Sequence, residues 1–226
     1  MKKLLLTAVA AAVFTPAFAA GTVVAEWDFT KEQLTSTRYT LNKRGEAKFV
    51  KDEKSGKLAL SPCTVGKNHG KGCGLTLKGD PRKELLPMDG FEVQTRIRYK
   101  DPAAGRIKGA NMYIFDGAYA GKNGAALLLH ITGRGEFAVR IIYGDGTKLN
   151  QQIVMAPVLG DGEWHDLALK YADDQITLTI DGKVAKTILP ARPLTDSTVR
   201  FTVGDRVAAG YQPFPGLIEY IKIIKF

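Results

Sequence analysis

Apolar and polar residues alternate with a period of two along most of the chain, in short runs broken by Gly, Asp, Asn and Pro. The runs TVVAEWDF (22–29), FEVQTRIRY (91–99), AALLLHI (125–131) and EFAVRIIY (136–143) each predict a strand. So do EWHDLALKY (163–171), QITLTI (175–180), VRFTV (199–203) and LIEYIKIIKF (217–226). A pleated strand sends successive side chains to opposite faces, so such alternation marks one buried and one outward face. Strands at this spacing, with almost no helical periodicity, predict an all-β sandwich or barrel. The polar stretch 35–61 offers only edge strands, around Lys48–Val50 and Leu58–Leu60.

The parity of each run assigns its faces. In EWHDLALKY, His165, Leu167, Leu169 and Tyr171 share the inward face, opposite Trp164, Asp166, Ala168 and Lys170. ADDQ (172–175) is a tight turn, and QITLTI returns with Ile176, Leu178 and Ile180 inward. Asp181-Gly182 closes a second turn, because this dipeptide accepts the positive φ angles that such hairpins require. Val184 and Ile188 are then expected to continue the core side. In FEVQTRIRY the apolar set Phe91, Val93, Ile97 and Tyr99 faces inward and puts Gln94, Arg96 and Arg98 outward. His130 and Arg140 also fall off the core parity of their strands.

The segment GDGEWHDLALKYADDQITLTIDGKVAKTI, followed by VRFTVGD and FPGLIEYIKI, resembles the laminin-G-like members of the concanavalin A-like lectin/glucanase superfamily. The likeness lies in Trp-His before an alternating strand, a strand ending in Asp-Gly-Lys, and a late Gly before the closing strand. The opening VVAEWDF is similar to that family's first strand. The resemblance implies a jelly-roll sandwich of two antiparallel sheets with adjacent N- and C-terminal strands. It says little about activity, since the fold hosts lectins, hydrolases, lyases and adhesion modules.

The opening MKKLLLTAVAAAVFTPAFAA has a charged start, an apolar run and the small-x-small site Ala17-Phe18-Ala19. It reads as a signal peptide over 1–19, leaving 20–226 as a single exported domain, secreted or periplasmic. The apolar run is too short to span a bilayer, so no membrane insertion is expected after its removal. In an oxidising compartment the even pair Cys63 and Cys73 predicts one local disulfide; half of a metal site with His69 is the alternative.

The net charge is +9, and the stretch 43–83 alone holds eleven Lys or Arg against four acids. A localised basic stretch suits an anionic polymer or cell surface, or serves as a solvated face that keeps an exported protein in solution. It lacks interleaved aromatics for base stacking, so nucleic acid is not an expected partner.

Glycoside hydrolysis needs two carboxyl groups facing one sugar bond. The closest match to the spacing used on this fold is EWDFTKE, where Glu32 falls one position late and Lys31 takes its place. Polysaccharide lyases of similar fold neutralise a uronate with Arg, Gln or Asn and abstract a proton with His or Tyr. Their Gln-Ile-His appears here as Leu128-Leu129-His130, and their Tyr-Phe-Lys-x-Gly strand as Arg200-Phe201-Thr202-Val203-Gly204. RKEL (82–85) matches their Arg-x-Glu pattern only faintly. No nucleophile elbow, phosphate loop or zinc pair is present. No cofactor is required; calcium is possible at Asp116, Asp145, Asp161 and Asp205, which sit in Gly-rich turns with hard oxygens but no ligand spacing.

The expected function is therefore an exported, non-catalytic module that recognises a glycan or cell-surface partner. A carbohydrate-active enzyme on an anionic polysaccharide and a structural or adhesion domain of the envelope are the alternatives. The candidate ligand-binding residues are Gln94, Arg96, Arg98, Asn111, Tyr113, His130 and Arg140, with no catalytic or metal residue assigned. If their strands were neighbours, the arginines and His130 would form one basic patch. Tyr119 is a further aromatic that could join Asn111 and Tyr113 in a sugar-stacking platform.

Overall fold

A computed structural model gives the architecture. It describes residues 21–63, 72–78, 82–101, 108–118, 121–207 and 212–226. The expected signal peptide, His69 and Tyr119 lie outside these residues. The first strands are β1 (Thr22–Asp28), β2 (Thr35–Ser36), β3 (Tyr39–Lys43), β4 (Lys48–Lys51), β5 (Leu58–Ser61) and β6 (Leu75–Leu77). Then come β7 (Phe91–Lys100), β8 (Asn111–Asp116), β9 (Ala125–Ile131), β10 (Phe137–Gly144), β11 (Leu149–Met155) and β12 (Asp161–Ala172). The chain closes with β13 (Gln175–Ile180), β14 (Lys183–Ile188), β15 (Thr202–Val203) and β16 (Leu217–Lys225). Short helical turns occur at Phe29–Lys31, Arg82–Leu85 and Pro157–Gly160.

These strands form two antiparallel sheets, as expected of a jelly-roll sandwich. The terminal sheet runs β14-β13-β12-β7-β16-β5-β4, and β1 also pairs with β16. The second sheet runs β11-β10-β9-β8-β15-β6-β3-β2. The first and last strands are adjacent along the register Thr22↔Lys225 to Asp28↔Tyr220. The predicted edge strands at Lys48 and Leu58 are present and pair with each other. Tyr39–Lys43 is an additional strand, with Tyr39 and Leu41 buried in the core.

The core lies between the sheets and follows the predicted parity. Phe91, Val93, Ile97 and Tyr99 of β7 face Leu127, Leu129, Ile131, Phe137, Val139 and Ile141 of the other sheet within one apolar cluster. Trp27, Phe29, Phe115 and Phe214 are fully buried. The Trp27 indole donates to the Tyr39 carbonyl at 3.3 Å, so its polar edge is satisfied. Truncating such an aromatic to alanine typically costs about 3–5 kcal/mol.

The two predicted tight turns form with backbone suited to their residues. Asp173-Asp174 and Asp181-Gly182 both have positive φ at each central position, as two-residue hairpins need. The expectation for Val184 fails: its side chain is 65% exposed. A bulge between Leu178 and Thr179 shifts the pairing, so Val184 opposes the outward Thr179, while Ile188 opposes inward Ile176 and is buried. Cys63 and Cys73 form the expected disulfide, with Cα atoms 5.6 Å apart, joining the end of β5 to the start of β6. No helix among the described residues is long and apolar enough to cross a membrane.

His165 is buried on the inward parity and held between two carboxylates. Its Nδ1 lies 2.7 Å from Asp181 and its Nε2 lies 3.1 Å from Asp161. Burial alone would push the imidazole down, but the hydrogen bonds and charges of Asp181 and Asp161 outweigh it and raise its pKa above the ordinary value. The cationic ring thereby fastens the β13–β14 turn to the start of β12. Because the folded pKa is the higher one, this stabilisation is complete below the unfolded histidine value. It fades as pH rises through the folded value. Urea unfolding of wild type and His165→Gln should therefore differ most at mildly acidic pH and converge at alkaline pH. The gap at the acidic end should be about 1 kcal/mol, since both carboxylates are partly solvated.

Candidate functional site

The seven candidate residues fall on two different outer faces. Gln94, Arg96 and Arg98 lie on β7 of the terminal sheet. Asn111 and Tyr113 (β8), His130 (β9) and Arg140 (β10) lie on neighbouring strands of the second sheet. The single basic patch does not form, because β7 pairs with β12 and β16 and not with β8, β9 or β10.

Arg98 and Arg96 are committed within the protein. Arg98 Nε donates to the Gly162 carbonyl at 2.7 Å, and Nη1 donates to Asp52. The buried Asp52 also accepts from the Ser55 backbone at 2.7 Å and from the Trp164 indole at 3.2 Å. Burial alone would raise the Asp52 carboxyl, but these donors and the guanidinium hold it at about 2. Arg96 lies 3.6 Å from Glu219 and 3.9 Å from Asp166, with its guanidinium over the Trp164 ring. Together these contacts clamp the β4–β5 turn onto β7 and β12.

On the second sheet the four remaining candidates converge. Register places Tyr113, Leu128, Arg140 and Ile153 in one row across β8 to β11, with Asn111 opposite His130 in the next row. Arg140 Nη1 donates to Asn111 Oδ1 at 3.1 Å, so its guanidinium reaches across β9. Its Nη2 donates to Gln151 on β11. His130 Nδ1 lies 2.9 Å from the same Asn111 oxygen and 3.2 Å from the Ala110 carbonyl. Arginine can only donate, so the Asn111 atom facing it is the oxygen, and His130 must also donate to it. That fixes the tautomer: the proton is on Nδ1, and Nε2 carries the lone pair. Burial, then the charge of Arg140, lowers the His130 pKa, so the ring is neutral at physiological pH.

This face has an unusual floor. Ala126, Leu128 and Ala138 point away from the main core, yet all are fully buried. Tyr113, Ala118, Ala126, Leu128 and Ile142 make a second, smaller apolar cluster with Leu149 packed against it. The uniformly apolar run AALLLHI fits a strand covered on both sides. Above this floor Arg140 Nε is buried without a hydrogen-bond partner, and among the described residues no carboxylate pairs with the guanidinium. Gln151 was absent from the candidates, although the alternation of LNQQIVM puts it on the parity of Ile153 and would have shown its face.

The four turn aspartates are taken up by backbone N–H groups of their own and neighbouring loops. Asp116 accepts from the Ala118 and Val207 backbones, Asp145 from Thr147 and Lys148, and Asp161 from Glu163. Asp205 accepts from Cys73 and Arg206. No group of three His, Cys, Asp or Glu among the described residues is placed to hold a metal ion. Within the basic stretch, Lys48 and Lys51 lie exposed on edge strand β4. Charged side chains there discourage edge-to-edge pairing.

The sandwich of two antiparallel sheets is a concanavalin A-like fold. The family model Laminin_G_3, described as the concanavalin A-like lectin/glucanases superfamily, matches residues 104–225, and the chain belongs to this family. No curated protein matches it in sequence. Among solved structures it is similar to domain 4 of AbnA, a GH43 extracellular arabinanase from Geobacillus stearothermophilus, in complex with arabinotriose. That likeness has 17% identity, covers 91% of this chain and 93% of the other, and has a TM-score of 0.59. It is also similar to the binding domain of botulinum neurotoxin DC in complex with SialylT, at 10% identity and a TM-score of 0.63. A third likeness, to the botulinum neurotoxin type G receptor binding domain, has 10% identity and a TM-score of 0.61. Each neurotoxin match covers 90% of this chain, which spans about half of the longer structure (48% and 47%). At these identities the likeness shows the fold.

The Asp52 clamp gives a direct test of what Arg98 does. Asp52→Ala leaves a part-buried guanidinium without its carboxylate and should cost about 3–5 kcal/mol in chemical denaturation. Because the folded carboxyl titrates at about 2, wild-type stability from this pair should persist above the unfolded carboxylate range. It should be lost as pH falls towards 2, and Asp52→Ala should lack that acid-dependent step.

Proposed function

We propose that this chain is an exported, non-catalytic glycan-binding module whose site is the outer face of β8–β11. There Arg140, Asn111, His130 and Gln151 hold an acidic sugar above the apolar floor. The observation that carries this reading is the Arg140 guanidinium, half-buried, which pairs with no carboxylate among the described residues and whose Nε, like that of Arg96, is buried without a hydrogen-bond partner. A buried donor left unmade costs about 1–3 kcal/mol, which a ligand oxygen would recover. A carboxylate or sulfate on a sugar supplies both the acceptor and the missing charge. The disulfide and the hydrophobic start of the chain support export. The arabinotriose and SialylT complexes of the similar structures support a glycan as the ligand class.

Isothermal titration with oligogalacturonate and alginate oligosaccharides, with and without calcium, tests the reading. Wild type should bind, and binding should weaken with salt. Arg140→Met should lose about 10- to 100-fold in affinity, the worth of a charged hydrogen bond. Its melting temperature should change little, because removal of the orphaned donor offsets the lost hydrogen bonds to Asn111 and Gln151. If no polysaccharide binds under any of these conditions, the reading fails and a structural role in the envelope is left.

One observation favours a second reading, that of an enzyme on an anionic polysaccharide. His130 Nε2 is a neutral, proton-accepting nitrogen beside an arginine, as proton abstraction next to a neutralised carboxylate requires. Incubation with alginate or pectate, followed by ultraviolet absorbance of unsaturated products, decides it. Product formation by wild type, lost in His130→Ala, would replace the non-catalytic reading.

A further inference from the structure

We infer that the outer face of the terminal sheet is a second carbohydrate surface, which takes a linear, uncharged glycan laid across the strands. It lies on the opposite sheet from Arg140 and rests on separate observations. Two depressions of about 340 Å³ each lie there, and both are lined by Glu92, Ala168 and Thr179, so they form one trough. The strand register explains its shape. Val184 opposes Thr179, Thr179 opposes Ala168, Ala168 opposes Gln94, and Gln94 opposes Lys222. This row crosses five strands, a span of roughly 19 Å at ~4.8 Å per strand gap, the length of a short oligosaccharide. Ala168 is the low point at the middle. Thr177, Lys170 and Glu92 rise on one side of the row, and Asp166 and Tyr220 on the other.

Several of the wall charges are already answered, which favours an uncharged ligand. Gln94 Nε2 donates to Glu92 at 2.6 Å, and Tyr220 donates to Asp166 at 3.4 Å. Arg96 lies 3.9 Å from the same Asp166 carboxylate, and Lys222 lies 3.8 Å from Glu26. Lys170 sets its ammonium over the Phe226 ring at 4.2 Å. A polyion would have to break these pairs, whereas a neutral chain leaves them intact. Thr177, Thr179 and Gln94 offer groups that both donate and accept, which is what sugar hydroxyls require. The exposed Val184 gives the trough one apolar end for a sugar C–H face. With the Arg140 face on the other sheet, the module can hold a neutral and an acidic chain at once.

Amide NMR titration of the ¹⁵N-labelled protein with xylohexaose, cellohexaose and arabinohexaose tests this. Shifts should concentrate on Gln94, Ala168, Thr177 and Thr179 for at least one of the three. Ala168→Arg, which fills the low point, should weaken binding at least about tenfold, the equivalent of 1.4 kcal/mol. Thr179→Val, which removes only a hydroxyl from an exposed strand position, should weaken it less without loss of folding. Arg140→Met should bind these neutral chains like wild type, so failure of the acidic-sugar reading leaves this result unaffected. Absence of binding to all three hexaoses, or shifts confined to β8–β11, would overturn the inference.

Discussion

The fold depends on the insertion of β16 between β7 and β1. Leu217–Lys225 bonds to β7 along most of its length on one side. On the other side it pairs with β1, and at Ile218 with β5. Without this strand the terminal sheet would break into the four-stranded piece β14-β13-β12-β7, the β4-β5 pair and an unpaired β1. An isolated two-stranded pair is marginal in water. Its inward residues Ile218, Ile221 and Ile223 are fully buried, so hydrogen bonding and core formation are completed by the same segment. Contacts between the two ends of a chain pay a large loop-closure entropy before they are rewarded, so closure by β16 is expected to come late in folding.

Once the two sheets are packed, their outer faces differ in how charge is handled. On the terminal sheet, cations and carboxylates answer one another: Arg98 with Asp52, Arg96 with Glu219 and Asp166, and Lys222 with Glu26. On the second sheet a guanidinium lies over alanine and leucine with amide oxygens alone for company. Structural ion pairs account for most of the first arrangement, although Arg96 Nε is buried there without a hydrogen-bond partner, as Arg140 Nε is on the second sheet. On the second sheet the hydrogen bonds from Arg140 to Asn111 and Gln151 leave its charge without a carboxylate among the described residues.

Strand parity was legible in the sequence because a half-buried sheet demands alternation, and a one-residue slip would turn a whole apolar set to water. Hence the inward set of FEVQTRIRY, the buried His165 and both Asp-centred turns follow from residue order alone. Val184 did not, since a bulge in the β13–β14 ladder reverses its face, and a bulge is a compromise between two strands that neither encodes by itself. The alternation of LNQQIVM shows the face of Gln151, but not its contact with Arg140, which depends on the pairing of β11 with β10. The terms that hide the site are therefore pairwise ones between strands.

The order of strands within each sheet marks the limit of what one sequence states. The family resemblance implied two sheets with adjacent ends, and alternation and turn chemistry determined that this chain is an all-β sandwich or barrel. They also determined which side chains leave the core, because these are local properties of a pleated backbone. Whether Arg98 and His130 are neighbours is not local: it depends on which strand each hydrogen-bonds to, set by contacts between residues far apart in the chain. Only the tertiary structure decided that Arg96 and Arg98 serve a clamp on one sheet. It alone brought Asn111, His130 and Arg140 together on the other, by pairing β8 with β9 and β9 with β10 over a buried apolar floor.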